Sequence, residues 1–302
     1  MTPATPTAIA RAASILRAGG LVAFPTETVY GLGANALDPD AVRKIFAAKE
    51  RPEWDPLIVH VSGLEMARRL TTQELPVEFT QKFWPGPLTL VVRKSGFVPE
   101  EVTARRDTVA LRMPRHPVAQ ALLAAAQLPI AAPSANRFGR PSPTRAEHVV
   151  ADLGERVDLI LDAGPTELGV ESTVLDLTQS PPVILRPGGV TREQLGGLRV
   201  AGSVVDEVAA KGLPGPGMSL KHYAPRARVE VFEDEASLQA RAGELCGRRT
   251  GVLTPTAQNL YTELRRLDAE GVEVILCVLP PADGIGLAVR DRLLRAAGRQ
   301  AS

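Results

Sequence analysis

Cysteine is nearly absent: Cys246 and Cys277 are the only two in 302 residues, and they lie far apart. That excludes a disulfide-stapled scaffold and a cysteine metal site. Aromatic residues make up 4%, so a core drawn from the 44% of hydrophobic residues must consist of Val, Leu, Ile and Ala. No run approaches the ~18 consecutive apolar residues that a membrane helix needs. The segment Met1 to Ala8 lacks the basic and apolar regions of a secretory signal. These absences predict a reducing, cytoplasmic location with no membrane contact. A Walker loop is missing, because no Gly-Lys-Ser/Thr follows the glycines, and their spacing does not match a dinucleotide fingerprint. No metal site is expected at His60 either, since no second His or Cys lies near it.

The net charge of +1 says nothing about nucleic acid, but its distribution does. Seven arginines, at 105, 106, 112, 115, 137, 140 and 145, share one stretch with a single acid, Asp107. Such an excess suits an anionic ligand or a solvated face. Periodicity predicts helices over 8–18, 40–48, 64–70, 77–83 and 118–126. Asp40 is the expected cap of the second. Short strands are predicted over 21–24, 57–61, 88–92, 109–111, 129–132, 159–161, 172–176 and 183–186. Without a regular βαβ repeat, this mixture predicts an α/β domain with a large sheet of mixed strand directions over 1–200. The Pro/Gly run at 213–217 and the segment at 218–225 mark a linker, 201–228. Strands at 229–232, 251–253 and 274–279 then alternate with helices at 260–269 and 285–297, which predicts a small parallel α/β domain over 229–302.

Several segments carry chemistry. In Pro25 to Gly33 (PTETVYGLG) a strand runs into hydroxyls, a carboxylate and two glycines, which reads as a loop where backbone approaches closely. Lys49 and Arg51 follow a helix in chain expected to be extended, so both would point to one side. A point charge beside a guanidinium fork suits a polyphosphate, although the helix dipole alone also attracts such residues. Arg112, at the end of an apolar strand, needs an anionic partner: a substrate carboxylate or an internal acid. PIAAPSAN offers Ser134 and Asn136 as small polar groups after a strand, ESTV and LRPGG add Ser172 and Arg186, and Ser142 lies in a Gly/Pro-rich loop.

The order PTETVYGLG, KERP, PLIVH, ALRMP, APSAN, ESTV, LRPG resembles the threonylcarbamoyl-AMP synthase family, also called YrdC-like. The likeness runs from about residue 10 to 190. The HYAP segment and the tail are similar to the longer branch of that family, with a linker and a small Rossmann-like C-terminal domain. The resemblance implies that L-threonine, bicarbonate and ATP give threonylcarbamoyl-AMP and pyrophosphate, a nucleotidyltransferase reaction assisted by Mg²⁺. A threonylcarbamoyl transferase complex would then pass the group to the adenine beside the anticodon of ANN-decoding tRNA, and the arginines would offer a tRNA contact.

Position by position, the resemblance implies that Thr28, His60, Arg112, Ser172 and the backbone at Ala132 hold threonine. Lys49, Arg51, Asp55, Thr108, Ser134, Ser142, Arg186 and Tyr223 would hold ATP. Lys49, Arg51, Ser134 and Asn136 form the K-x-R and S-x-N pairs expected at the reacting centre. Asp55 stands where relatives often carry Asn; its carboxylate would either repel phosphate or help hold Mg²⁺. Tyr223 reaches ATP only if the linker folds back as a lid; otherwise the linker is a tether. Two other readings compete. One is a non-enzymatic RNA-binding factor with the same basic stretch. The other is a carbamoyl-adenylate enzyme of hydrogenase maturation, which two distant cysteines do not fit.

Overall fold

The computed structural model describes residues 1–201, 215 and 222–298. The expected Pro/Gly break at 213–217 and most of the linker therefore lie outside the described residues. The chain opens with β1 (Thr2–Pro3) and a helix at Pro6–Arg17. That helix starts earlier than its apolar pattern suggests, because the Thr5 hydroxyl accepts from Ala8 N and Pro6 pre-sets the first turn. β2 (Val22–Phe24) then pairs antiparallel with β3 (Gly31–Asn35).

β3 is a strand where a loop was expected. Its glycines disguise it, yet they are what lets it sit there: a Cβ at Gly33 would come within 2.8 Å of both Ile130 and Phe24. The next helix, Pro39–Lys49, is capped by Asp38 and not by Asp40. Asp38 Oδ1 accepts from the backbone of Asp40 and Ala41 at 3.0 and 3.2 Å, and Pro39 takes the first helical position.

The strands β4 (Ile58–His60), β5 (Leu88–Arg93), β6 (Thr108–Arg112), β7 (Ile130–Ala131), β8 (Leu159–Asp162), β9 (Thr173–Asp176) and β10 (Val183–Arg186) complete the large sheet. Its order is β1-β8-β2-β3-β7-β4-β6-β5-β9-β10, with parallel and antiparallel neighbours mixed as expected. The short helix Glu100–Thr103 and the helix Ala146–Leu153 were not legible from apolar spacing.

One side of the sheet packs against Val42, Ile45 and Phe46 of the helix Pro39–Lys49. On the other, the helices Pro6–Arg17 and Pro117–Ala126 cover β8, β2 and β7 through Leu16, Leu122 and Leu123. Over β4, β6, β5, β9 and β10 that second side is different. Ile58, Val91, Ala110, Val174, Val183 and Leu185 form an apolar floor to which no helix residue among the described ones belongs. The candidate site lies at the edge of this floor.

After the linker come β11 (Arg228–Phe232), β12 (Thr250–Leu253) and β13 (Val274–Val278), parallel in the order β11-β13-β12. Helices at Glu235–Glu244, Leu260–Ala269 and Gly286–Ala296 flank them, the first unforeseen. The small core takes in Val29 and Val170 of the large domain, so the two domains share apolar packing. The loop after β12 docks on the segment 167–169. Gly169 lies so close that an added Cβ would stand 2.3 Å from Ala257 O. Ion pairs reinforce the seam: Arg140 meets Asp268 at 3.2 Å and Arg265 meets Asp152 at 2.5 Å.

Candidate active site

Along β6, Thr108, Ala110 and Arg112 share one face, since strand side chains alternate. β4 lies beside it with Ile58 next to Ala110 and His60 next to Arg112. Arg112 is buried and lines a cleft together with His60. Of the two partners left open for it, the internal acid is present. Arg112 Nη2 donates to Glu27 Oε1 at 2.6 Å, and the other Glu27 oxygen accepts from Arg115 N at 3.0 Å.

Burial pushes the Glu27 carboxyl up, but the Arg112 guanidinium and the backbone N–H groups of Glu27 and Arg115 together outweigh it and hold the group below its ordinary value. Burial and then Arg112 lower the His60 imidazole to about 3, so it is neutral. Ser172 joins this end of the cleft, with its hydroxyl 2.8 Å from that of Thr89. Ala132 lines it too. Thr28 stands one step behind the wall: its hydroxyl is 2.7 Å from that of Thr26, and it is Thr26 that lines the cleft.

The other end corrects the expectation for Lys49 and Arg51. They do not alternate along extended chain, because Lys49 ends its helix and Glu50 turns the backbone into the left-handed region at φ 55°. The two therefore serve different partners. Lys49 Nζ donates to the backbone oxygens of both Ser134 and Asn136, which ties the S-x-N segment to the helix end from behind. Burial, followed by the neighbouring Arg51, lowers its pKa well below the ordinary lysine value, and a neutral amine still carries two N–H groups for these two acceptors.

Arg51 does line the cleft, held by Asp55 Oδ1 and Pro56 O, both at 2.9 Å. Asp55 is thus the buried counter-ion of Arg51. Arg186 faces the cleft from β10 and donates to Ser172 O at 2.9 Å. Ser134 lines the cleft as well. The Asn136 amide nitrogen donates to Arg137 O and Arg140 O at 2.8 Å, while its Oδ1 has no partner among the described residues.

Four expected nucleotide contacts fall outside this wall: Lys49 and Asp55, which act behind it, and Ser142 and Thr108. Ser142 is fully buried and donates to Glu171 Oε1 at 2.5 Å. Thr108 lines a separate small cavity with Leu57, Arg106, Ala110 and Gly215, further along the same face of the sheet.

Tyr223 is in the cleft wall, as the lid reading requires, and so is His222 beside it, with ring centroids 4.1 Å apart. Tyr223 adopts φ 63°, is 1% exposed, and its hydroxyl has no partner among the described residues. Glu27, Glu171, His222, Tyr261 and Arg292 are the residues that sequence reasoning did not single out. Glu27, Glu171 and His222 stand inside quoted segments, whereas Tyr261 and Arg292 lie in helices read only from their apolar spacing.

Four of the seven arginines of the stretch are paired: Arg112 with Glu27, Arg115 with Glu167, Arg137 with Glu50, and Arg140 with Asp152 and Asp268. No group of three or more His, Cys, Asp or Glu among the described residues is arranged to hold a metal. The cleft's nearby carboxylates, Glu27, Asp55 and Glu171, each face an arginine. The described residues therefore do not fit a resident Mg²⁺ ion.

Comparison with known proteins identifies the family. The Sua5/YciO/YrdC family model, described as telomere recombination, matches residues 14–188, and the model for the C-terminal domain of threonylcarbamoyl-AMP synthase matches 190–298. The threonylcarbamoyl-AMP synthase of Pyrococcus abyssi is 45% identical, with 95% of this chain and 93% of that protein covered. That of Bacillus subtilis is 44% identical over 96% and 93%. The crystal structure of P. abyssi Sua5 complexed with L-threonine superposes with a TM-score of 0.91 at 43% identity, covering 97% of this chain and 95% of that one. Sequence, fold and the two matched segments together place the chain in the threonylcarbamoyl-AMP synthase family, in its form with a Sua5-type C-terminal domain.

Proposed function

We propose that this cleft makes L-threonylcarbamoyladenylate from L-threonine, bicarbonate and ATP, releasing pyrophosphate and water, as a nucleotidyltransferase that supplies tRNA modification. The observation that carries the reading is the convergence of Arg112, His60 and Ser172 with Arg51, Ser134 and Arg186 in one buried cleft. Arg112 receives the threonine carboxylate, and Glu27 fixes the fork that does so. Neutral His60 and the hydroxyl of Ser172 are available to the amine and side chain of threonine.

The threonine nitrogen takes up the carbon of bicarbonate with loss of water, and an oxygen of the resulting carbamate attacks the α-phosphorus of ATP while pyrophosphate departs. Arg51 and Arg186 stabilise the charge that gathers on the phosphates. The work of the protein is thus positioning and electrostatics, without a protein nucleophile. Ser134 presents a small polar group at the same place, with Lys49 and Asn136 holding its loop. Mg²⁺, if used, travels on the nucleotide's phosphates, and no step here depends on it.

The nucleotide extends from Arg51 and Arg186 across Ile58 and Ala110 towards Thr108, along the apolar floor. His222 and Tyr223 are buried in the cleft wall, and the segment bearing them swings aside for entry and returns over the bound nucleotide. The adenylate then passes to a threonylcarbamoyl transferase complex acting on ANN-decoding tRNA in the cytoplasm; no helix among the described residues is long and apolar enough to cross a membrane.

The test is pyrophosphate release by the purified chain with each substrate omitted in turn. Release that requires both threonine and bicarbonate is the expected result. RNA binding without such release would sink the reading and favour the RNA-binding alternative.

A further inference from the structure

Arg292 is the largest fully buried side chain in the molecule's described part, yet nothing in the reaction above uses it. It projects from the helix Gly286–Ala296 of the small domain. Its Nε donates to Glu171 Oε2 at 2.7 Å, its Nη2 donates to Pro187 O at 3.0 Å, and Nη1 meets Asp291. Its guanidinium carbon lies 5.1 Å from the centroid of the Tyr223 ring.

Glu171 completes the cluster. It lines the cleft, immediately precedes Ser172, and accepts from Ser142 Oγ at 2.5 Å and from Tyr261 Oη at 2.9 Å. Tyr261, from the helix Leu260–Ala269, also packs its ring 5.7 Å from that of Tyr223. One carboxylate and one guanidinium thus join the two domains and the linker residue at a single point. Both charges are buried, so each depends on the other.

We propose that Glu171, Arg292 and Tyr261 form a latch between the domains that positions Tyr223 over the nucleotide half of the cleft, with Arg292 as the positioning residue beneath the ring. A cation under an aromatic face and a ring beside it leave Tyr223 little freedom. Its hydroxyl, without a partner among the described residues, is then free for the nucleotide. Arg112, Glu27 and His60 are not part of the latch; of the proposed threonine contacts only Ser172, next to Glu171, adjoins it. The inference rests on the reading of Tyr223 as part of the nucleotide's wall.

The experiment pairs ATP titration calorimetry with pyrophosphate release at varied ATP and varied threonine. Arg292→Met is expected to raise the ATP Kd and KM about tenfold or more while the threonine KM stays within about twofold, the range that one buried coupled contact spans. Tyr261→Phe is expected to shift ATP affinity less, in the same direction. Arg292→Lys, which restores a cation beneath the ring, is expected to recover part of the loss. Unchanged ATP affinity in Arg292→Met, or ATP and threonine KM rising together, overturns the latch. Should that variant not fold, Tyr261→Phe decides, and unchanged ATP affinity there overturns it. Absence of pyrophosphate release by the wild type would instead sink the proposed reaction, and the ATP titrations would still judge the latch.

Discussion

The two halves of the cleft are built differently. At the threonine half, Arg112 finds its counter-ion in Glu27, and the strands β4 and β6 hold His60 and Arg112 side by side. Every part comes from the large domain. At the nucleotide half, Arg51 leans on Asp55, but Tyr223 comes from the linker and rests on Tyr261 and Arg292 of the small domain. On the proposed reading the first half is complete within the large domain, whereas the second gains its Tyr223 wall only when both domains are docked. A difference of this kind teaches that one cleft can be pre-organised for one substrate and assembled for another.

The comparison can be broken most severely at Arg112. Arg112→Met strands the Glu27 carboxylate in the interior, and breaking a buried pair in this way costs about 3–5 kcal/mol. Urea denaturation should register that loss, and threonine binding by calorimetry should vanish with it. Unchanged stability would mean that the pair is not what holds this half. Next comes Lys49→Ala, which releases Ser134 and Asn136 without removing a cleft-lining charge; turnover should fall by roughly 2–4 kcal/mol of transition-state stabilisation. The fold should persist by circular dichroism, and turnover near that of the wild type would return Lys49 to a helix-end charge with no role.

Acid sharpens the contrast less severely. All four histidines are held below their ordinary value by burial, His60 to about 3 and His148 to about 4. The unfolded chain binds protons on them below about 6.5 and the folded chain does not, so stability is lost as pH falls from about 6.5 towards those lowered values. Glu27 and Glu171 are also lowered, but their contribution is lost only below the ordinary carboxylate range. Denaturation midpoints at pH 7.5 and about 5 therefore report the imidazoles together with Lys49, which is lowered as well, and His60→Gln should narrow the gap between them. The smallest effect is expected of Thr108→Val, at the far end of the floor: a loss of about 1 kcal/mol in ATP affinity, the worth of one hydrogen bond, with threonine affinity untouched.

The sequence was legible where chemistry follows period or punctuation. Arg112 was visible as a charge closing an apolar strand, and the small parallel domain as an alternation of strands and helices. What escaped was decided by distance in space. β3 hides in Gly-Leu-Gly because its glycines answer to Ile130 and Phe24, residues brought there by folding. The misplaced extended reading of Lys49 and Arg51 has a local cause: a left-handed Glu50 is uncommon for a residue with a side chain, and nothing in KERP announces it. Glu171 and Arg292 stand 121 positions apart, and no pattern within either segment foretells that they meet.

The seam at Gly169 sets a limit on how the molecule can vary. Its φ of +78° suits glycine, and the carbonyl of Ala257 already fills the space a methyl group would take. A single added carbon there would act as a wedge, prising the small domain from the large one while leaving every ionic partner chemically intact. The fit between the domains is thus keyed by an absent side chain as much as by those that are present.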